Sequence, residues 1–326
     1  MNFHQLQYAL AVARNGLSVT NAAAALGTSQ PAISRALKEL EKELGFDLFV
    51  REGRSFARVT PEGAKVLEYA SRALAEIESL RSIAADLNQD ARGTLSIATT
   101  HTQARYVLPP VVQAFRKRYP EVDLHLHQGT SEQISEMVAG DRVQLAIATG
   151  SEALFPELVL LPVYRWHRQV IVPKHHPLAR PGAPKLTLAA LEKYPLVTYV
   201  FSFSGPSSLE SLFAREGLRP RVALTARDSD VIKTYVRLGM GVGIVASVAF
   251  EPEADSDLVL VDASHLFPIH TTWVGFRRGT LLRNYAYDFM QLFGTHLTRR
   301  LIDEAIEARD PESKAALLGR LQLPVR

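Results

Sequence analysis

Hydroxyl and amide side chains crowd a nine-residue stretch, ATTHTQARY, that spans Ala98 to Tyr106. The stretch follows the short apolar run TLSI, so it lies where a buried strand is expected to end and a helix to begin. Backbone N–H groups at a helix N-terminus favour anions, and threonine hydroxyls and a glutamine amide add neutral donors. The pattern therefore predicts a site for a small, fully ionised oxyanion such as sulfate.

Two further stretches place hydroxyl groups after apolar runs. Thr149 stands at the end of the run AIATG, and the serine-rich YVFSFSGPSS follows YPLVT. Three hydroxyl-bearing strand ends that converge on a cleft would form a specific ligand site. Any one of them alone is better explained as a helix cap or a turn, because serine and threonine fill those positions throughout proteins.

Strands and helices alternate after Thr94. The strand–helix–strand order predicts a mainly parallel sheet with helices on its faces. The pattern divides into two αβ sets, and a final unit, TTWVGFRRG with RNYAYDFMQLFGTHL, is expected to return to the first set. Such two-lobed α/β folds bind ligands between the lobes, at the carboxyl ends of the strands.

Composition narrows the class of protein. The chain has 326 residues, a net charge of only +3 and no cysteine, which excludes disulfides, thiolate metal sites and thiol redox sensing. No run approaches the ~18 apolar residues of a membrane-spanning helix. The N-terminus lacks the pattern of a signal peptide. We therefore expect a cytoplasmic protein with no membrane partner.

The remaining motifs favour neither an enzyme nor a metal site. GMGVG follows a helix and precedes a strand, the reverse of the dinucleotide-binding order, so Gly239 is interpreted as a helix C-cap. His125 and His127 alternate on one face of a predicted strand and are interpreted as two surface histidines. Asp228 and Asp230 are better explained as helix caps than as an acid–base pair. No cofactor is predicted.

The first sixty residues predict a helix-turn-helix. Gly27 is expected to end one helix, Ser29 to cap the next, and Pro31 to occupy its first turn. Apolar residues of the new helix repeat at spacings of four, three and four, at Ile33, Leu37, Leu40 and Leu44. Two short helices joined by a glycine turn, the second polar at its N-terminal end, are typical of DNA-binding helix-turn-helix units.

A basic hairpin follows. FDLFVREGRSFARVT predicts two strands with a turn at Glu52–Gly53, and the cations Arg51, Arg54 and Arg58 cluster on it. Such a wing brings positive charge to the phosphates beside the helix. An amphipathic helix with surface charges is by itself an ordinary solvated face, but the order helix, glycine turn, capped helix and basic wing predicts a winged helix-turn-helix.

A long helix is predicted next, from Thr60 as N-cap and Pro61 at the first helical position to Asp90. Its apolar residues are Leu67, Ala70, Leu74, Ile77, Leu80, Ala84 and Leu87. The spacing fits two alternatives equally, a coiled-coil-type dimer seam and an amphipathic helix packed on its own domain.

This order of elements resembles the LysR-type transcriptional regulators, on SQPAISRALKELEKELGFDLFVREGR followed by VTPEGAKVL. The resemblance implies that the second helix approaches the major groove of promoter double-stranded DNA. It also implies a homodimer through the linker helix, a homotetramer, and recruitment of RNA polymerase. The residues that it implies for DNA contact are Thr28, Ser29, Gln30, Pro31, Ser34, Arg35, Lys38, Arg51 and Arg54.

Four later segments, IATTHTQARYVLP, YPLVTY, DSDVIKTYVRLGMGVG and GFRRGTLLRNYAYDF, resemble the LysR-type activators of cysteine-biosynthesis and sulfur-assimilation genes. The resemblance implies an effector site for sulfate, O-acetylserine or N-acetylserine, formed by Thr100, Thr102, Gln103, Thr149 and Ser204. Ser204 stands where that pattern has a threonine, and Gly150 where it has an acidic residue. Both departures bear on affinity and ligand choice.

The chain is therefore predicted to be α/β, with three parts. They are a winged helix-turn-helix (1–60), a linker helix (61–90) and a two-lobed, periplasmic-binding-protein-like effector domain (91–326), with lobe I at about 91–165 and 269–326 and lobe II at about 166–268. The predicted function is effector-controlled transcription. Two alternatives stay open, a LysR-type regulator with a sulfonate-related or other anion effector, and a solute-binding α/β protein that does not bind DNA.

Overall fold

The computed structural model describes residues 1–53, 55–87, 92–203, 209–308 and 310–326. The chain forms two compact units, of which the first consists mainly of Met1–Ala91 and the second of Arg92–Ala139, Val143–Gly279 and Asn284–Arg326. Over the described ranges, no helix combines the length and apolar character that a membrane span requires.

The first unit begins with three helices: α1 (Phe3–Arg14), α2 (Val19–Leu26) and α3 (Gln30–Leu44). Gly27 ends α2 in the left-handed conformation, at φ +61°, and the Ser29 side chain accepts a backbone N–H of the first turn of α3. The helix–glycine turn–helix prediction is confirmed. The inner faces form one apolar core, which includes Ala9, Val12, Ala22, Ile33, Leu37, Leu40, Leu48 and Phe49.

The wing is an antiparallel hairpin of β1 (Phe49–Glu52) and β2 (Ser55–Val59). Gly53 takes φ +63° at its turn, a conformation that glycine adopts without a steric cost. Arg54, one of the predicted wing cations, lies outside the described residues.

Helix α4 (Pro61–Leu87) begins where Thr60 Oγ1 accepts a backbone N–H of the first turn at 2.9 Å. Leu67 and Ala70 are buried in the core of the first unit, whereas Leu80 is 66% exposed. The first half of α4 thus packs on its own domain, and the dimer seam stays a prediction.

The second unit contains two five-stranded sheets. Its strands are β3 (Gly93–Thr99), β4 (Val122–Gln128), β5 (Leu145–Thr149), β6 (Leu158–Trp166), β7 (Arg168–Pro173), β8 (Leu196–Tyr199), β9 (Val222–Ala226), β10 (Val242–Ala246), β11 (Leu258–Val261) and β12 (His270–Arg277). The lobe I sheet has the order β4-β3-β5-β12-β6, and the lobe II sheet has the order β11-β7-β10-β8-β9. The predicted return of the last strand to lobe I is confirmed.

The helices of the second unit are α5 (Leu108–Arg118), α6 (Ser131–Ala139), α7 (Leu188–Glu192), α8 (Leu209–Arg215), α9 (Ser229–Arg237), α10 (Asn284–Phe293), α11 (Arg299–Glu307) and α12 (Pro311–Leu318). Helix α6 contacts β5 of the lobe I sheet, and α9 contacts β10 of the lobe II sheet. A π-helical turn at Gln103–Val107 precedes α5. Gly239, predicted as the C-cap of a helix, directly follows Leu238, the C-cap residue of α9, and takes φ +77°.

The sheets are less parallel than the sequence predicts. Of the eight strand pairings between β3 and β12 among the described residues, four are parallel and four antiparallel. The prediction of a mainly parallel sheet is therefore wrong. The reason lies at the crossovers: β12 returns to lobe I between β5 and β6 and runs antiparallel to both.

Strand β6 contains a proline, a feature that the sequence analysis does not treat. Pro162 interrupts its apolar run, and proline cannot donate to a ladder hydrogen bond. The pairing of β6 with β12 shifts register between Thr272 and Trp273, and Trp273 is the partner of Pro162. Strand β6 lies at the edge of its sheet, and the register shift falls at the proline. The strand therefore accommodates Pro162, a residue type that is rare in central strands.

Candidate functional site

The predicted threonines lie at the carboxyl end of β3. Thr99 ends the strand with no exposed surface, and its Oγ1 has no hydrogen-bond partner in the described part of the chain. A helix begins at His101, so the backbone N–H groups of its first turn have no intrahelical acceptor. Thr100 and Thr102 are half-buried at this turn. The structure therefore places hydroxyls and unsatisfied amides at one strand end, as predicted.

Gln103 lies deeper than its neighbours. It is 1% exposed, its Oε1 accepts the Tyr164 O–H at 2.7 Å, and its Nε2 donates to Thr272 Oγ1 at 3.4 Å. Burial raises the pKa of the Tyr164 phenol, so the group is a neutral donor at neutral pH. The predicted ligand contact through Gln103 is thus restricted to its second amide hydrogen.

Thr149 lies beside this network. It ends β5 and pairs across the sheet with Thr272, the residue that Gln103 contacts. Its carbonyl oxygen accepts the Ser131 hydroxyl at 3.0 Å, and its side chain is half-buried. Two of the predicted strand ends therefore meet at one edge of the lobe I sheet. We call Thr99, Thr100, Thr102, Gln103 and Thr149 the strand-end cluster.

Lobe II contributes a tyrosine that the sequence analysis does not single out. Tyr199 is 1% exposed, its Oη lies 2.6 Å from Ser229 Oγ, and it accepts the Ala246 N–H at 3.1 Å. Burial raises the pKa of the Tyr199 phenol, and the nearby Thr102 side chain of lobe I opposes part of this rise. Thr102 of the strand-end cluster therefore lies close to lobe II.

The third predicted hydroxyl stretch is only partly described. Ser202 is completely buried, and its Oγ has no hydrogen-bond partner among the described residues. It follows the end of β8, at the carboxyl edge of the lobe II sheet. Ser204, the predicted ligand contact, lies outside the described residues.

Charged and phenolic groups join the lobes next to the cluster. Tyr106 donates its hydroxyl to Asp230 Oδ1 at 2.6 Å, and burial, followed by Asp230, raises the pKa of Tyr106. Arg105 pairs with Glu251 at 3.2 Å. Asp228 caps α9, as predicted, whereas the Asp230 side chain instead contacts lobe I. Tyr106 ends the stretch ATTHTQARY that opens the sequence analysis. Its partner Asp230 lies 124 positions away, so the spacing of residues did not indicate this contact.

The predicted DNA contacts lie along the start of α3 and on the wing. Arg35 and Lys38 are exposed on α3, and Gln30 donates to Thr20 Oγ1 at 2.7 Å. The exposed or half-buried residues that precede and follow them are Thr28, Ser29, Pro31 and Ser34. The polar N-terminal face of α3 is therefore accessible.

Arg51 differs from the other predicted cations. Its guanidinium pairs with the buried carboxylate of Glu41 at 3.2 Å and lies 4.8 Å from the centre of the Phe56 ring. Glu41 also accepts the Leu48 N–H at 2.9 Å. The ion pair of Arg51 with Glu41 thus connects the wing to α3. A contact of Arg51 with DNA stays a prediction.

Comparison with known proteins identifies the family. A model described as "Bacterial regulatory helix-turn-helix protein, lysR family" matches residues 3–64, and one described as "LysR substrate binding domain" matches residues 88–298. The chain belongs to the LysR family of transcriptional regulators. The resemblance, the winged helix-turn-helix fold with a two-lobed effector domain, and the expectation that the chain is not an enzyme are confirmed.

Individual relatives give a finer comparison. This LysR-family chain is 46% identical to the HTH-type transcriptional regulator CysB of Haemophilus influenzae over 326 residues, which are 100% of both proteins. It is 43% identical to the HTH-type transcriptional regulator SsuR of Burkholderia cenocepacia over 297 residues, 91% of this chain and 96% of the relative. The crystal structure of the cofactor-binding domain of the Cbl transcriptional regulator is 42% identical, with a TM-score of 0.62, and covers 67% of this chain and 95% of that one.

Proposed function

We propose that this LysR-family regulator controls genes of sulfur assimilation and cysteine biosynthesis, and that a small effector in the inter-lobe cleft sets its activity. The full-length similarity to CysB supports the pathway. Sulfate, O-acetylserine and N-acetylserine are the candidate effectors. The helix-turn-helix family match favours this function over a solute-binding protein without DNA affinity.

The unpaired hydroxyls of Thr99 and Ser202 carry the effector proposal. Both are completely buried, and they lie at strand ends of different lobes. A buried polar group without a partner costs about 1–3 kcal/mol. An oxyanion accepts hydrogen bonds at several oxygens, so its binding offsets this cost where neutral donors meet. We place the effector against the strand-end cluster, with Ser204 as its further predicted contact.

For DNA binding, we propose that α3 enters the major groove of promoter DNA. Arg35 and Lys38 are exposed on this helix and would contact base edges and phosphates. The proposed dimer forms through the second half of α4, around the exposed Leu80, so that two wings meet two half-sites. Homotetramer formation and recruitment of RNA polymerase complete the proposal, which places the protein in the cytoplasm with its DNA.

Thermal unfolding of the full chain tests the effector proposal. A ligand at one hundred times its dissociation constant adds about 2.7 kcal/mol, a rise of several degrees in midpoint. We expect this rise with sulfate or an acetylserine, its loss in Thr100→Val, and its retention in Thr225→Val. Thr225 is a matched control because it is an exposed strand threonine of lobe II. An unchanged midpoint with every ligand would refute the effector assignment.

A different effector is the second candidate. Gly150 adopts φ +120°, and an added Cβ would lie 3.2 Å from Leu154 Cδ1, so the acidic residue implied there by the resemblance would be strained. The charge next to Thr149 is therefore absent from this chain. A thermal shift with an alkyl sulfonate, but not with sulfate or the acetylserines, would support this candidate.

A further inference from the structure

Residues 321–326 lie against the outer edge of the lobe I sheet. Strand β6 is the last strand of that sheet, so its backbone can pair with a further segment on the side away from β12. Val325 forms a parallel bridge with Arg165, near the end of β6. The Arg165 N–H donates to the Pro324 carbonyl oxygen at 2.8 Å, and the Arg326 N–H donates to the Arg165 carbonyl oxygen at 2.9 Å. We call residues 321–326 the edge strap.

The edge strap is connected to both lobes. Before it, Lys314 of α12 pairs with Glu152, which follows β5 of lobe I, at 2.6 Å. Ser247 directly follows β10 of the lobe II sheet and donates its hydroxyl to the backbone oxygen of Arg326. The Ser247 N–H donates to the His167 carbonyl oxygen at 2.9 Å, between β6 and β7. The strap thus follows a helix fixed to lobe I and ends on a residue of lobe II.

The edge strap also covers a residue that holds Gln103. The Arg326 guanidinium lies 4.7 Å from the centre of the Tyr164 ring. Tyr164 has no exposed surface, and its hydroxyl donates to Gln103 Oε1 at 2.7 Å. Arg326 therefore packs on the back of the side chain that orients the Gln103 amide. Arg326 is a positioning residue for Gln103 and does not itself belong to the strand-end cluster.

The contacts that hold the edge strap are few and close to solvent. Pro324, Val325 and Arg326 are exposed, and the strap pairs with β6 through two ladder hydrogen bonds. Short surface pairings of this kind open far more easily than the core of a domain. The strap can therefore detach while both lobes stay folded. Its docked state requires Arg165 and Ser247 at their present separation, so docking depends on the arrangement of the lobes.

We propose that the edge strap connects the lobes reversibly, docking on β6 in the lobe arrangement of this structure and detaching when the lobes move apart. Docking places Arg326 over Tyr164 and thereby fixes the orientation of Gln103. A ligand that binds Gln103 in this orientation favours the docked strap, and by linkage the docked strap raises the affinity for that ligand by the same factor. The effect on ligand affinity rests on the proposed effector site, whereas the connection between the lobes does not.

Distances between the lobes test the connection in the full chain. The sequence contains no cysteine, so Lys117→Cys on α5 and Glu216→Cys after α8 provide two specific spin-label sites, both exposed. Labelled chains are diluted into unlabelled protein and measured by double electron–electron resonance. We expect one narrow distance distribution in this parent and a broader one after Ser247→Ala, which removes the contact with lobe II. The control Arg320→Met changes an exposed arginine just before the strap and should leave the distribution narrow. An unchanged distribution in Ser247→Ala would overturn the proposal.

Calorimetric titration with sulfate tests the effect on the ligand. Arg326→Met keeps an apolar stem and removes the cation, so the affinity for sulfate should fall about twofold to fivefold, the size of an exposed cation–π contact. Arg326→Lys restores a cation and should recover part of the loss, and Arg320→Met should bind as the wild type does. Reciprocally, sulfate should slow hydrogen exchange of the Arg326 amide. A merely structural role of the strap would change the unfolding midpoint and leave the affinity for sulfate unchanged.

The two measurements separate this proposal from the effector proposal. If the wild type binds no sulfate, the sulfate assignment fails, and the distances alone decide whether the strap connects the lobes. If sulfate binds equally well to the wild type and to Arg326→Met, the effector site stands and the positioning role of Arg326 is refuted.

Discussion

Replacing Tyr199 by phenylalanine should destabilise the effector domain at the point where its lobes meet. The phenol oxygen lies 2.6 Å from Ser229 Oγ and accepts the Ala246 N–H at 3.1 Å. Tyr199→Phe removes this one atom and keeps the ring among the apolar residues around β8. Two hydrogen bonds are therefore lost without an apolar cavity on the scale of a side chain.

The size of the loss in unfolding free energy depends on whether the hydrogen-bond partners of the phenol can bind water instead. Ser229 has no exposed surface, and Ala246 lies in a buried strand, so neither gains a water in place of the phenol. Each buried polar group left unpaired costs about 1–3 kcal/mol. Part of this is offset because the variant no longer buries a hydroxyl. We expect the free energy of unfolding to fall by about 2–4 kcal/mol.

Urea denaturation followed by circular dichroism measures this loss. Tyr235→Phe is the matched control, because Tyr235 is half-buried beside the same apolar cluster and its hydroxyl makes no hydrogen bond within the described residues. The control should stay within about 0.5 kcal/mol of the wild type. Equal losses in the two variants, or no loss in Tyr199→Phe, would refute the role assigned to the buried phenol.

Three further predictions concern charged groups. Lys233→Met should lower the unfolding free energy by about 1–3 kcal/mol in urea denaturation, because Lys233 is 2% exposed and pairs with Asp255 at 2.6 Å, while Arg237 still pairs with that carboxylate at 2.9 Å. His270 has a folded pKa of about 4, below its unfolded value of about 6.5. As pH falls from 7 to 5, His270 is protonated in the unfolded chain but stays neutral in the folded chain. The free energy of unfolding should therefore fall by up to about 2 kcal/mol, and His270→Gln should remove this pH dependence. Arg35→Glu should abolish specific binding to upstream DNA in a mobility-shift assay without changing the unfolding midpoint.

Controls and contrary outcomes differ for these three. Lys185→Met removes an exposed lobe II lysine and should leave the free energy of unfolding unchanged. Equal losses in Lys185→Met and Lys233→Met would mean that the ion pair of Lys233 does not stabilise the fold. An identical pH slope in wild type and His270→Gln would show that His270 is not the titrating group. Lys65→Glu, which makes the same charge change on the exposed face of α4, should keep specific binding. Retained binding in Arg35→Glu would refute the assignment of α3 as the recognition helix.

Local signals in the sequence predicted most of the first unit. Gly27 and Ser29 mark a helix end and a helix start through their own backbone and side chain, so their roles need no distant partner. The apolar spacing of α3 likewise identified its buried face. Arg51 shows the limit of such signals: its charge marks a basic wing, but its ion pair with Glu41 depends on packing between two elements.

The effector domain was less predictable because its decisive contacts are distant in sequence. Gln103 is held by Tyr164, 61 positions away, and by Thr272, 169 positions away. Composition and spacing identified Gln103 as polar at a strand end, but they contain nothing about those two partners. Pro162 is compatible with β6 because the strand lies at the edge of its sheet, and its partner Trp273 lies at the register shift of β12.

The contacts that follow Thr102 connect the effector proposal to the geometry of the lobes. Thr102 is a predicted ligand contact in lobe I, and one helical turn later Arg105 pairs with Glu251 and Tyr106 donates to Asp230 of lobe II. A ligand that binds at Thr102 therefore lies next to contacts between the lobes, and its affinity should differ when those contacts are made and when they are broken. Such a difference is what an effector needs in order to shift a conformational equilibrium. Under the proposed function, coupling between the ligand and the lobe arrangement therefore requires one helical turn, without a chain of intermediate residues through the core.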